Sequence, residues 1–126
     1  YSRFPEDLAE AVKALGEAML EAPAGATLVH CTAGKDRTGF AVAMLLHAIG
    51  IEPDEVMADY LLSNASFAAA CLRFNHGGRL DGVESRAPGA IAALVGVHPE
   101  YLQAAEQRHA GLDAAARARL AERLLI

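Results

Sequence analysis

The chemically most informative stretch of the sequence has a cysteine and an arginine six positions apart. Cys31 and Arg37 enclose a short polar segment, and apolar segments flank it on both sides. A loop that enters a helix points backbone N–H groups inward at the helix N-terminus, where they and the helix dipole bind anions. Arg37 can add a two-pronged contact to two oxygens of a phosphate. The pattern therefore indicates a phosphate cradle formed by Thr32, Ala33, Gly34, Lys35, Asp36 and Arg37.

The electric field that attracts phosphate also acts on the thiol of Cys31. A free thiol with a pKa near 8.5 is only ~3% thiolate at pH 7. A helix N-terminus and basic neighbours can lower that pKa to about 5, a change worth roughly 5 kcal/mol between the two protonation states. A thiolate beneath a bound phosphate is placed for in-line attack on phosphorus. We therefore predict that Cys31 is a nucleophile that forms a phosphocysteine intermediate, which water then hydrolyses.

Such a reaction also needs proton transfers. Asp36 is the only carboxylate between Cys31 and Arg37, and we expect it to act as the general acid, the general base or both. The hydroxyl of Thr38 can donate to the sulfur and ease its departure. His30 can orient the loop through its ring N–H, with its side chain turned away from the substrate.

The elements that must position this loop are a strand before it and a helix after it. Thr27–His30 is short, apolar and β-prone, which fits a buried strand of a parallel sheet. Thr38–Ile49 is a strongly apolar helix that Gly50 ends. The spacing of apolar residues predicts a further helix over Pro5–Glu21. One strand cannot form a sheet, so we expect an α/β fold whose other strands lie upstream or in another chain.

The rest of the chain is predicted to be mostly helical. A loop rich in glycine and charge is predicted over Asn75–Gly89. The predicted helices are Pro53–Leu62, Ser66–Phe74, Pro88–Val95, His98–His109 and Asp113–Leu125.

Composition limits the classes of function. A chain of 126 residues, 53% of them hydrophobic, fits one folded domain. The net charge of −5 is spread over interleaved acidic and basic residues, which argues against a nucleic-acid surface. No apolar run approaches the roughly 18 residues of a membrane span, and we recognise no signal peptide within these 126 residues. The compartment, cytoplasmic or secreted, stays open, and a catalytic Cys31 favours a reducing one.

The remaining candidate residues admit simpler explanations. Two cysteines do not make a disulfide framework, and we expect Cys71 to be a small buried residue. The histidines and cysteines show no zinc spacing, so we expect neither a metal nor a cofactor. Asp59 and Asn64 either support the loop and substrate or belong to a helix face and its cap, and both interpretations stay open.

The stretch His30–Gly39 (HCTAGKDRTG) resembles the signature of the protein-tyrosine-phosphatase superfamily. More narrowly, it resembles the bacterial tyrosine/serine phosphatases of triple-specificity or lipid-phosphatase type. Ala58–Asn64, Gly96–Leu102 and Gly111–Leu125 resemble later segments of the same family. The resemblance covers the whole chain but only the second half of the family's domain. We therefore expect residues 1–126 to be the C-terminal part of one phosphatase domain.

The resemblance implies a cysteine-phosphatase fold, with a parallel-rich central sheet that is flanked by helices and incomplete in this chain. It also implies hydrolysis of phosphotyrosine, phosphoserine and phosphothreonine. Because the loop contains the Lys35-Asp36 pair, the resemblance further implies that phosphoinositides are substrates. In many relatives the general acid is an aspartate on an upstream loop, which would precede Tyr1. Within this chain, Asp36 is therefore the candidate for the general acid. The link between His109 and Gly111 is shorter than in the family. The expected partners are phosphorylated substrates and the missing half of the domain.

Other interpretations of the loop fit less well. A nucleotide-binding P-loop needs Ser or Thr after its Gly-Lys pair, and here Asp36 follows Lys35. Rhodanese-like and arsenate-reductase loops share the cysteine but match the flanking residues less closely. A module that binds phosphate or a partner protein without turnover remains the alternative function.

Overall fold

A computed structural model describes residues 4–22, 25–66, 69, 78, 81–103 and 111–125. The elements in chain order are α1 (Phe4–Asp7), α2 (Ala9–Glu21), α3 (Asp36–Ala48), α4 (Pro53–Leu61), a 3₁₀ helix η1 (Leu62–Ser66), α5 (Val83–Arg86), α6 (Ala90–Val95), α7 (Pro99–Gln103) and α8 (Ala114–Leu124).

The core forms around α3, the helix that follows the Cys31 loop. This helix packs against α4 and α2, and α8 covers the other side of α2. Because each helix carries apolar residues at three- and four-residue spacing, one face of each turns inward. The buried apolar side chains include Val12, Phe40, Ala43, Met44, Leu45, Val56, Tyr60, Leu102 and Leu120.

Helix α8 fixes the end of α2, just before the chain turns toward Cys31. Asp113 caps α8, with its carboxylate accepting from the Ala116 N–H at 2.8 Å. Near the other end of α8, Arg123 donates to the carbonyls of Leu20 at 3.4 Å and Ala22 at 2.8 Å. These carbonyls lie at the C-terminus of α2, where no further helical turn can satisfy them. Helix α8 therefore holds in place the C-terminal end of α2, from which the chain continues to Cys31.

Residues 26–30, which lead into Cys31, form neither a helix nor a paired strand. A strand needs a neighbour to bond with, and the described parts of the chain provide none. Leu28, which a central sheet would bury, is 85% exposed. The sheet expected around Thr27–His30 therefore stays a prediction.

Several element predictions differ from the structure in detail. The first predicted helix is divided at Leu8, although the Leu8 carbonyl still accepts from the Val12 N–H at 2.8 Å. The helix after the loop begins at Asp36, two residues earlier than predicted, because it starts within the cradle itself. The predicted helix Pro53–Leu62 ends at Leu61 and continues as the 3₁₀ helix η1.

Downstream, one prediction was wrong and others fall largely outside the described residues. The loop predicted over Asn75–Gly89 contains the short helix α5, which follows a left-handed turn at Gly82 and is tied to it by Arg86. Cys71, most of Ser66–Phe74 and the end of His98–His109 lie outside the described residues. Of the helices that the structure describes, none has both the length and the apolar character needed to cross a membrane.

Candidate active site

The loop after His30 wraps its backbone around the sulfur of Cys31. The Gly34 N–H donates to Cys31 Sγ at 3.3 Å. The N–H groups of Ala33 and Thr38 point at the same sulfur. Gly34 has a φ of +71°, a left-handed conformation that costs glycine little and turns its N–H inward. The loop thus forms a nest of backbone donors with the sulfur at its base.

A side chain adds a further donor. The buried Oγ1 of Thr38 has no well-aligned hydrogen-bond partner in the parts of the chain that the structure describes, and its hydroxyl lies close enough to the Cys31 sulfur to lower the pKa of that thiol. Thr38 lies in the first turn of α3, so the backbone N–H and the hydroxyl of one residue both act on the sulfur.

This environment favours the thiolate. Partial burial by itself would raise the pKa of Cys31. The hydrogen bonds from the Thr38 hydroxyl and from the N–H groups of Thr38, Gly34 and Ala33 outweigh burial and lower that pKa to about 6. At neutral pH Cys31 is therefore mostly a thiolate, the form that acts as a nucleophile.

Arg37 lies in the first turn of α3 and reaches back across the loop. Its Nη2 donates to Thr32 Oγ1 at 3.3 Å, and both residues are exposed. The guanidinium is therefore held over the loop and is accessible to an incoming anion. The N-terminus of α3 adds its dipole to this positive field.

The Lys35 side chain turns toward protein groups. Its ammonium donates to Asp36 Oδ1 at 2.6 Å and to the Gly96 carbonyl at 2.8 Å. The Lys35 and Asp36 side chains are only 12% and 16% exposed. Lys35 therefore fixes the Asp36 carboxylate and joins the loop to the chain that follows α6.

The Gly96 carbonyl, which accepts from Lys35, belongs to a backbone corner formed by Gly96 and Val97, and Asn64 holds this corner in place. Asn64 Nδ2 donates to the Val97 carbonyl at 3.0 Å, and the Val97 N–H donates to Asn64 Oδ1 at 2.8 Å. One amide side chain on η1 thus pairs with both backbone groups of Val97. The structure brings Asn64 into contact with the network behind the loop.

The other two predicted supporting residues are not part of this network. His30 and Asp59 are exposed, and neither makes a side-chain hydrogen bond to a residue within the described ranges. The loop-orienting role of His30 therefore stays a prediction without a partner group. Among the described residues, no cluster of three or more His, Cys, Asp or Glu side chains is arranged to hold a metal ion.

A mainly apolar groove of about 440 Å³ opens beside the loop. It runs between α2, the segment that leads to Cys31 and the first turns of α3. Its lining residues are Leu8, Ala11, Val12, Leu15, Leu28, Val29, His30, Cys31, Arg37, Thr38 and Ala41. The candidate site therefore has an open apolar side next to the nest of backbone donors.

Sequence reasoning missed the contribution of the Gly96–Val97 corner. This corner lies 61 residues beyond Lys35, and it acts through a backbone carbonyl, which no residue type reveals. The glycine at position 96 was the sign of this corner in the sequence, because the backbone there leaves little room for a side chain. A Cβ at Gly96 would lie 2.8 Å from the Ala92 carbonyl oxygen and 3.3 Å from Asn64 Oδ1.

Comparison with known proteins gives a consistent result. A family model described as the tyrosine phosphatase family matches residues 1–125. A Cupriavidus necator protein with the provisional name tyrosine-protein phosphatase is 41% identical over 108 residues, which are 82% of this chain and 36% of that protein. The triple specificity protein phosphatase PtpB of Mycobacterium tuberculosis is 40% identical over 88 residues, which are 64% of this chain and 32% of PtpB.

A Nostoc commune tyrosine-protein phosphatase is 49% identical over 39 residues, which are 31% of this chain and 13% of that protein. The chain thus spans at most 36% of the length of these curated relatives.

Proposed function

Because this chain belongs to the tyrosine phosphatase family, we propose that it hydrolyses phosphomonoesters, phosphotyrosine first, with Cys31 as the nucleophile. The observation that carries the proposal is the convergence of the Ala33, Gly34 and Thr38 N–H groups and the Thr38 hydroxyl on one sulfur. That convergence stabilises a thiolate where the helix dipole and Arg37 also attract an anion. A nucleophile and a binding site for its target therefore coincide.

The proposed reaction has two steps. The thiolate of Cys31 attacks phosphorus, the bond to the leaving oxygen breaks, and a phosphocysteine forms. Arg37 and loop N–H groups stabilise the charge on the equatorial oxygens. Water then attacks the phosphocysteine, inorganic phosphate leaves, and the Thr38 hydroxyl stabilises the departing thiolate.

Asp36 is proposed to transfer the protons. As the neutral acid it would protonate the leaving oxygen in the first step, and the resulting carboxylate would accept a proton from water in the second, which restores the acid. The contact from Lys35 at 2.6 Å holds the carboxylate in one orientation and suits the second step, in which Asp36 is the ionised base. An alkyl leaving group needs such a proton more than an activated aryl group does.

We extend the proposal to phosphoserine, phosphothreonine and phosphoinositides. The similarity to a Mycobacterium tuberculosis phosphatase named for triple specificity supports a broad substrate range. For a second phosphate of an inositol ring to bind Lys35, the ammonium must exchange its contact with Asp36 or with the Gly96 carbonyl. Phosphoinositide hydrolysis would therefore involve a rearrangement of this side chain.

We also propose that residues 1–126 are the C-terminal part of one phosphatase domain, in which residues 26–30 form a strand of a parallel-rich sheet. The exposure of Leu28 and the adjacent apolar groove support this proposal, because a neighbouring strand would cover both. That strand would come from another part of the protein or from a second chain.

Turnover of an aryl phosphate such as p-nitrophenyl phosphate tests the proposed function. We expect turnover by the unmodified chain, none by Cys31→Ser, and near-normal turnover by Cys71→Ser, which removes the other cysteine. Activity that survives Cys31→Ser would refute the nucleophile. Phosphate binding without turnover in the unmodified chain would favour the alternative of a binding module.

A further inference from the structure

The peptide group between Gly96 and Val97 is hydrogen-bonded at both of its ends. Its carbonyl oxygen, on Gly96, accepts from the Lys35 ammonium at 2.8 Å. Its N–H, on Val97, donates to Asn64 Oδ1 at 2.8 Å. A continuous chain of hydrogen bonds therefore runs from Asn64 through one peptide group to Lys35, and from Lys35 to Asp36 at 2.6 Å.

Each bond in this chain supports the next one. A peptide group that donates strongly through its N–H becomes a better acceptor at its carbonyl, so hydrogen bonds in series strengthen one another. The second contact of Asn64, from its Nδ2 to the Val97 carbonyl at 3.0 Å, stops the corner from rotating. Asn64 thereby sets the direction in which the Gly96 carbonyl points.

The corner has little room to adjust. Gly96 and Val97 are buried, and the space where a Gly96 Cβ would lie is limited by the Ala92 carbonyl and by Asn64 itself. Asn64 lies on an exposed 3₁₀ helix, so its contribution to the core is small. Its two contacts to Val97 are its evident structural task.

We propose that Asn64 is a positioning residue for the phosphatase reaction, acting through the Gly96–Val97 peptide and Lys35 on the carboxylate of Asp36. This inference rests on the proposed function. Without Asn64 the Gly96 carbonyl loses its fixed direction, Lys35 loses one of its two acceptors, and the Lys35 ammonium no longer holds the Asp36 carboxylate in one orientation. Asn64 does not touch the substrate.

The proposal predicts a selective defect. The donors to the Cys31 sulfur come from Ala33, Gly34 and Thr38, none of which contacts Asn64. Loss of Asn64 should therefore leave the nucleophile intact and affect only the steps that need Asp36. Misplacement of a catalytic group by about 1 Å can reduce a rate by up to about 100-fold.

The test compares two substrates in Asn64→Ala, in a matched control variant and in an Asp36→Asn background. Asn64→Ala should lower kcat/KM, which reports only the first step, by roughly 10- to 100-fold for an alkyl phosphate, whose leaving group needs a proton, and by a few-fold at most for p-nitrophenyl phosphate. Ser63→Ala, on the same exposed 3₁₀ helix, should change neither rate. In an Asp36→Asn background, Asn64→Ala should have no further effect, because the group on which it acts is gone.

The possible outcomes separate this inference from the proposed function. Equal losses of kcat/KM on both substrates, or a full Asn64→Ala effect in the Asp36→Asn background, would overturn the positioning role and leave the phosphatase proposal standing. Absence of turnover in the complete domain that contains residues 1–126 would refute the phosphatase proposal instead.

A spectroscopic measurement tests the hydrogen-bond chain without turnover. The ammonium ¹⁵N resonance of Lys35 should be observable while its protons are held by two acceptors. We expect it to disappear by exchange with water in Asn64→Ala and to persist in Ser63→Ala. Its persistence in Asn64→Ala would overturn the proposed link.

Discussion

Replacing Thr38 by valine tests the electrostatics of Cys31 most selectively. Valine has nearly the shape of threonine and keeps the backbone N–H that points at the sulfur, so only the hydroxyl donor is lost. The nest of Ala33 and Gly34 also stays in place. The substitution therefore isolates one hydrogen bond to the thiolate.

The size of the effect follows from the charge on the acceptor. A hydrogen bond to a charged group contributes about 1.5–3 kcal/mol, and 1.36 kcal/mol corresponds to one pKa unit. Because the sulfur is partly exposed, water replaces some of the lost donor, which favours the lower end of that range. We expect the pKa of Cys31 to rise from about 6 to roughly 7. The thiolate fraction at pH 7 would fall from about 90% to roughly half.

The assay is the pH dependence of alkylation by iodoacetamide, followed by mass spectrometry at Cys31. Thr27→Val is the matched control, because it removes a threonine hydroxyl from the exposed segment before the loop and none of the donors to the sulfur. We expect its alkylation profile to match that of the unmodified chain. An unchanged midpoint in Thr38→Val, or an equal rise in Thr27→Val, would show that the Thr38 hydroxyl does not lower the pKa of Cys31.

Three further predictions concern the site and the core. Since the thiolate is the reactive form, kcat/KM should fall about tenfold per pH unit below pH 6, the pKa of Cys31; a flat profile between pH 5 and 7 would contradict this. Gly96→Ala places a Cβ 2.8 Å from the Ala92 carbonyl oxygen, so urea denaturation should show a loss of roughly 1–3 kcal/mol, and an unchanged stability would show that the corner can relax. Leu102→Ala removes a fully buried side chain and should cost about 2–5 kcal/mol, whereas Leu28→Ala, at a residue that is 85% exposed, should cost under about 0.5 kcal/mol when residues 1–126 are studied without the proposed neighbouring strand. A comparable loss in both leucine variants would mean that Leu28 is covered in solution.

The family and the local structure of the loop could be predicted from the sequence. The match of a tyrosine phosphatase family model to residues 1–125 confirms the predicted family. Glycine at position 34 marked the turn that the structure shows with a φ of +71°. The helix after the loop was also predictable, because apolar residues at helical spacing leave few alternatives. Short-range physics decides all of these features.

Contacts between residues far apart in the sequence could not be predicted in the same way. The sequence predicted that Lys35 belongs to the phosphate cradle, and it gave no sign that the structure would show Lys35 bonded to Asp36 and to a carbonyl 61 residues away. Backbone carbonyls are identical at every position, so their partners depend on the whole fold. The predicted sheet is another such case. A strand forms only with a neighbour, and the described residues supply none for residues 26–30.

The account depends above all on a phosphoryl group passing through the sulfur of Cys31. Rapid acid quenching during turnover of p-nitrophenyl phosphate, followed by peptide mass spectrometry, measures this directly. We predict a phosphoryl adduct on the peptide that contains Cys31, and no adduct on that peptide in Cys31→Ala. Steady turnover with no adduct at any quench time, or with the adduct on a different residue, would contradict the account.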